Sequence, residues 1–170
     1  YKRQAVEMRQ RLRVFNEGRL AKKQKAISIG MGIHSDEVVS GNIGSSKRME
    51  LTSIGDGVNL ASRLEGTSKQ YGTDLVISYN TYKPYKELLW VRELDLITVK
   101  GKSNPVKIYE LLGFKEGSLK QQLTDKQHQI VGHYHQGREY YLKPSKEKNL
   151  TDDSIKAVSY THLTLPTTNS

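Results

Sequence analysis

The chain has 170 residues, of which 35% are hydrophobic, and a mean hydropathy of -0.66. That suffices for one domain with a real core, and no stretch approaches the ~20 consecutive apolar residues that span a bilayer. Zero cysteines exclude disulfides and thiolate metal sites and fit a reducing compartment such as the cytoplasm, while a net charge of +9 raises nucleic acid or anionic lipid as partners.

Most of the charge excess lies in residues 1–26, with nine basic and two acidic side chains. Residues 5–22 have the pattern of an amphipathic helix, ended near Gly18 or the Lys22-Lys23 pair. Met8, Leu12 and Phe15 recur at helical spacing and offer a stripe to bury, leaving the basic residues as a solvated face. Residues 27–33 alternate Ile27, Ile29, Met31 and Ile33 with Ser28, Gly30 and Gly32, which predicts a strand. His34-Ser35-Asp36-Glu37 bends the chain, with Asp36 and Glu37 expected as solvated acids and His34 as a bend residue that holds no metal. Extended structure resumes over 38–44, turns at 45–47 and returns antiparallel over 49–54.

A helix follows over 57–68, with Val58, Ala61 and Leu64 as its expected buried stripe. Residues 74–78 form a short apolar strand. Residues 78–89 are helical but interrupted at Pro84. Strands over 90–99 and 106–112 pair across a turn at 101–104. From about residue 116 the composition shifts to Gln, Lys, His and Tyr. Residues 116–157 are expected to be a helical or linker tail, where Tyr134, Gly137 and Tyr141 suggest the first half of a helix-pair repeat. Residues 1–4 and 158–170 resemble translated adapter sequence and are set aside as non-native ends. The order predicts an α+β fold, a mixed sheet with helices packed on one face.

Asn59 and Arg63 are one helical turn apart, so an amide and a guanidinium share a helix face. The glycines around Asp56 let the preceding strand turn into that helix. A planar fork of donors suits phosphate, and a neutral amide beside it suits a sugar oxygen, which together describe a nucleotide. A solvated surface pair has the same spacing, so the pair by itself leaves both readings open.

The ordered motifs Gly41-Asn42-Ile43-Gly44-Ser45, Lys47-Arg48-Met49-Glu50, the run from Thr52 to Glu65, and Val99-Lys100-Gly101-Lys102 decide between them. Over residues 5–115 the chain resembles the class III adenylyl/guanylyl cyclase catalytic domain, most of all the bacterial and cyanobacterial adenylyl cyclases. The resemblance implies a ferredoxin-like α+β core acting as a head-to-tail homodimer. It implies conversion of ATP to 3′,5′-cyclic AMP and pyrophosphate in intracellular signalling. Asn59 then orients the ribose, Arg63 stabilises charge at the α-phosphate, Lys100 binds the triphosphate and Thr52 contacts the base.

Two divalent metal ions, Mg or Mn, are implied as well. The resemblance places their aspartates, a base-reading lysine and the first strand ahead of residue 5, so an N-terminally truncated domain is expected, with no metal ligand in this chain. Asp56 matches the strand-to-helix turn and not the metal motif. Such a piece is expected to be inactive alone, with an exposed sheet edge. The rivals are a guanylate cyclase, a catalytically inactive cyclase-like regulatory module, and a nucleic-acid binder on the same fold. The last would need aromatics on central strands, which residues 27–33 lack.

Overall fold

The computed structural model describes residues 1–45, 48–98, 105–117, 123 and 125–142. Two units are distinguished, residues 1–119 and 120–170. In the first, helix α1 (Lys2–Ala21) precedes strand β1 (Met31–Ile33) and a hairpin of β2 (Val39–Ser45) and β3 (Arg48–Ile54). Helix α2 (Asp56–Ser68), strand β4 (Leu75–Ser78) and the short helix α3 (Tyr79–Tyr82) follow. A 3-10 turn (Lys83–Tyr85) leads into β5 (Leu89–Ile97) and β6 (Val106–Phe114). In the second unit, helix α4 (Asp125–Leu142) falls within the stretch where the sequence predicts helix.

The main sheet has the order β1-β4-β6-β5 and is mixed. Strand β1 runs parallel to β4, with Gly32 beside Val76, as a crossover through α2 requires. Strand β4 is antiparallel to β6, and β6 to β5. Every residue of β4 is buried, because an apolar run in the middle of a sheet is covered on both faces. Its alternation divides the core. Leu75 and Ile77 join Val6, Tyr109 and Leu111 in one cluster, which includes α1. Val76 joins Leu60, Leu64, Leu94 and Ile108 in the other, which includes α2. The helices therefore cover both faces of the sheet, not one. Strand alternation imposes this, since neighbours on β4 point to opposite sides.

Two expected stripes are shifted. On α1 the buried residues are Ala5 and Val6, while Met8 and Phe15 are exposed. Arg9 fixes that orientation. Its Nε and Nη2 donate to Asp74 Oδ2 and Oδ1 at 2.7 and 2.6 Å, and its Nη1 and Nη2 donate to the carbonyls of Leu112 and Leu111 at 3.1 and 2.8 Å. A residue assigned by composition to the solvated basic face instead ties α1 to β4 and β6. On α2 the buried stripe is Gly57, Leu60, Leu64 and Ser68, and Val58 is exposed. Leu60 and Leu64 are wholly buried, each contributing about 1.5–3 kcal/mol by the area rule.

Strand β1 is shorter than the alternation over 27–33 predicts, and its outer edge has no strand partner among the described residues. The helix α1 runs through Gly18 and closes at Lys22 and Lys23, with Gln24 N donating to Arg19 O at 2.9 Å. An ion pair bridges β5 and β6, where Arg92 Nε lies 2.7 Å from Glu110 Oε2 with both side chains under one-tenth exposed. Thr73 Oγ1 donates to the other carboxylate oxygen at 2.8 Å.

Candidate nucleotide-binding site

The hairpin β2–β3 stands apart from the main sheet as a two-stranded ribbon in continuous register from Val39↔Ile54 to Ser45↔Arg48. Every residue of β3 is exposed. Ser40 and Ser53 share a 2.6 Å hydrogen bond on one face of the ribbon. Thr52 belongs to the opposite face, since side chains alternate. Its cross-strand neighbour is Gly41, so no side chain lies directly across from its hydroxyl.

Ile54 passes through Gly55 into α2, where Val58 N donates back to Gly55 O at 3.1 Å. No side chain of the adjoining turn caps the helix, and Asp56, exposed in its first turn, favours the N-terminal end of the dipole. With Leu60 and Leu64 turned into the core, Asn59 and Arg63 fall on the solvent side of the helix. Both are exposed, and among the described residues neither side chain has a hydrogen-bond or ion-pair partner. The helix thus presents an amide and a guanidinium, unpaired among the described residues, on one ridge. No hydrogen bond joins Thr52 to that ridge. Lys100, the fourth expected site residue, lies outside the described residues.

Close backbone packing sets the position of this ridge. A Cβ at Gly32 would run into the Ala61 carbonyl oxygen and the Glu65 amide nitrogen, with the Leu64 carbonyl carbon at 3.0 Å. Only glycine at this point of β1 lets the α2 backbone come so near. At Gly57 a Cβ would meet the Asp36 Cβ at 2.7 Å.

In the bend from His34 to Glu37, Asp36 and Glu37 are exposed as expected, but His34 is turned inward. The His34 side chain is 2% exposed. Its Nδ1 lies 2.7 Å from Ser78 Oγ and its Nε2 lies 3.3 Å from Asp36 Oδ2. Ser78 also caps α3 by accepting from Thr81 N, and Thr81 Oγ1 bonds Ser35 Oγ at 3.0 Å. Nothing in the local pattern marks this network, because Ser78 is distant in sequence. The one available signal is the i, i+2 spacing of His34 and Asp36 at a strand end, which puts both on one side.

Among the described residues no group of three His, Cys, Asp or Glu could hold a metal ion. No described helix is long and apolar enough to cross a membrane.

Comparison with known proteins places these features. Residues 3–113 match the family described as the adenylate and guanylate cyclase catalytic domain. Adenylate cyclase 1 of Rhizobium meliloti is 36% identical over 109 residues, which cover 64% of this chain and 16% of that protein. Adenylate cyclase of Anabaena cylindrica is 40% identical over 114 residues, covering 63% of this chain and 23% of that protein. The crystal structure of the guanylyl cyclase Cya2 superposes with a TM-score of 0.58 at 33% identity, covering 68% of this chain and 58% of that one. The chain thus spans less than a quarter of the length of these two adenylate cyclases. With its mixed α+β sheet, its exposed hairpin and the Asn59/Arg63 ridge lying inside the matched span, the chain belongs to the adenylate and guanylate cyclase catalytic domain family.

Proposed function

We propose that the chain is the part of an adenylate cyclase that supplies the ribose and transition-state contacts of a site shared between two subunits. The observation that carries the reading is the Asn59/Arg63 ridge, exposed on α2 and unpaired among the described residues, within a cyclase-family chain. The parent's reaction joins the ribose 3′-oxygen of ATP to the α-phosphorus and breaks the bond from that phosphorus to the β-phosphate oxygen. Pyrophosphate leaves with the electron pair, and the 3′-hydroxyl loses its proton. Phosphoryl transfer asks a protein mainly for positioning and charge stabilisation. Asn59 orients the ribose. The Arg63 fork holds two oxygens of the α-phosphate and binds more tightly as charge develops there. Lys100 holds the triphosphate, and Thr52 accepts a hydrogen bond from the adenine amino group.

The free-standing hairpin supports a head-to-tail partner. Val39, Ile43 and Ile54 are exposed on one face of it and Met49 and Leu51 on the other, apolar side chains suited to contact with a second subunit. The family uses divalent metal ions, and by that resemblance we assign their aspartate ligands to residues outside this chain. We place the reaction in the cytoplasm, in keeping with the cysteine-free composition. A GTP-using parent is the second reading. It is favoured by the likeness to a guanylyl cyclase, while Thr52, whose hydroxyl donates as well as accepts, discriminates only weakly and argues mildly against it.

The test is made in the whole enzyme. Arg63→Ala is expected to lower kcat by at least 100-fold with nucleotide affinity within a few-fold, because the contact strengthens in the transition state. Asn59→Ala should behave similarly, and Lys100→Ala should raise KM more than it lowers kcat. Turnover unchanged in Arg63→Ala would refute the assignment. The 170-residue chain alone is expected to make no cyclic AMP and to contribute activity when mixed with an intact subunit. Parallel assays with ATP and GTP decide the base.

A further inference from the structure

His34 and Asp36 are absent from the roles above, yet they link an enclosed imidazole to the start of α2. The imidazole is nearly inaccessible, held at Nδ1 by Ser78 and at Nε2 by Asp36. The Asp36 carboxylate is held in part by two contacts among the described residues, its Oδ1 accepting from Glu37 N at 3.0 Å while its Oδ2 faces His34. Its side chain lies against Gly57, where a Cβ would be 2.7 Å from the Asp36 Cβ and 3.4 Å from Oδ2. Gly57 is the second residue of α2, two before Asn59. A carboxylate beside an otherwise uncapped helix start is also favourable for the helix dipole.

We propose that His34 and Asp36 are positioning residues for the nucleotide-binding helix. The imidazole, anchored on Ser78 at the end of β4, holds Asp36 against Gly57 and so sets where α2 begins and where it presents Asn59 and Arg63. The importance of that placement rests on the cyclase reading; the placement itself does not. Neutral His34 carries its proton on Nε2, donating to Asp36, while the Ser78 hydroxyl donates into Nδ1.

Two measurements on the 170-residue chain test this. In Asp36→Ala, amide hydrogen exchange at Leu60 and Ala61, in the first turns of α2, is expected to speed up at least tenfold. Tyr109 and Leu111 in β6 should stay within twofold of wild type. A merely structural loss would accelerate all four together. In Asp36→Asn, which turns a carboxylate into an amide donor towards Nε2, the imidazole nitrogen spectrum at pH 8 is expected to switch to the Nδ1–H tautomer. Exchange at Leu60 and Ala61 within twofold of wild type in Asp36→Ala, or rising only in step with β6, overturns the proposal, as does an unchanged tautomer in Asp36→Asn. In the whole enzyme Asp36→Ala should lower kcat about tenfold or more with KM little changed. Failure of Arg63→Ala to affect turnover would sink the cyclase site reading while leaving the exchange and tautomer results to decide the positioning role.

Discussion

Replacing Arg9 by alanine tests how α1 is held to the sheet. The guanidinium is 14% exposed and makes four bonds, two to Asp74 and two to the carbonyls of Leu111 and Leu112. Asp74 is 30% exposed, so water replaces part of what it loses, and the ion pair itself counts for about 1 kcal/mol or less. The carbonyl bonds are charge-assisted, for which about 1.5–3 kcal/mol each is typical, and partial solvent access puts them at the low end. We expect a loss of about 3 kcal/mol, a large share of the ~5–15 kcal/mol that holds a domain folded. The melting temperature should fall by roughly 10 °C. Urea unfolding followed by fluorescence of Trp90, the chain's one tryptophan and a residue of β5, measures it. Arg9→Lys keeps the charge but loses the fork and should recover less than half. A double-mutant cycle with Asp74→Ala should show coupling of about 1 kcal/mol. A loss below about 1 kcal/mol in Arg9→Ala, or full recovery in Arg9→Lys, would refute the reasoning.

Two further outcomes follow from the packing. Gly32→Ala forces a methyl group into the α2 backbone and should cost about 3 kcal/mol or more in urea unfolding; in the whole enzyme the displaced helix should lower turnover by about 100-fold. Stability within about 0.5 kcal/mol of wild type would show that the close approach is not real. The Tyr82 hydroxyl holds its proton more tightly in the folded chain, its pKa raised above 10.0 by burial first and then by Glu87, Glu93 and Tyr79. A raised folded pKa means that this stabilisation is complete below pH 10 and is lost as pH rises beyond it. Stability measured from pH 9 to 11 should therefore fall more steeply in wild type than in Tyr82→Phe, and parallel profiles would contradict the assignment.

Local sequence determined the element order of this chain. Alternation over 27–33 marked β1, extended runs between turn residues marked the later strands, and helical spacing marked α1 and α2, because periodicities of 2 and 3.6 residues are written into neighbouring side chains. The Asn59/Arg63 ridge was legible for the same reason, since i and i+4 meet within one helix. The tertiary structure alone decided which side of each helix is buried. Met8 and Phe15 have the spacing of a core stripe but face solvent, because Arg9 reaches Asp74 and the end of β6 only when Val6 faces the sheet. It also decided that the two helices lie on opposite faces, a consequence of strand β4 being buried on both. His34 is an enclosed link and not merely a bend residue because Ser78 is 44 residues away along the chain yet in hydrogen-bonding distance. Contacts between segments remote in sequence leave no periodic trace, and these are the contacts that fix where the ridge points.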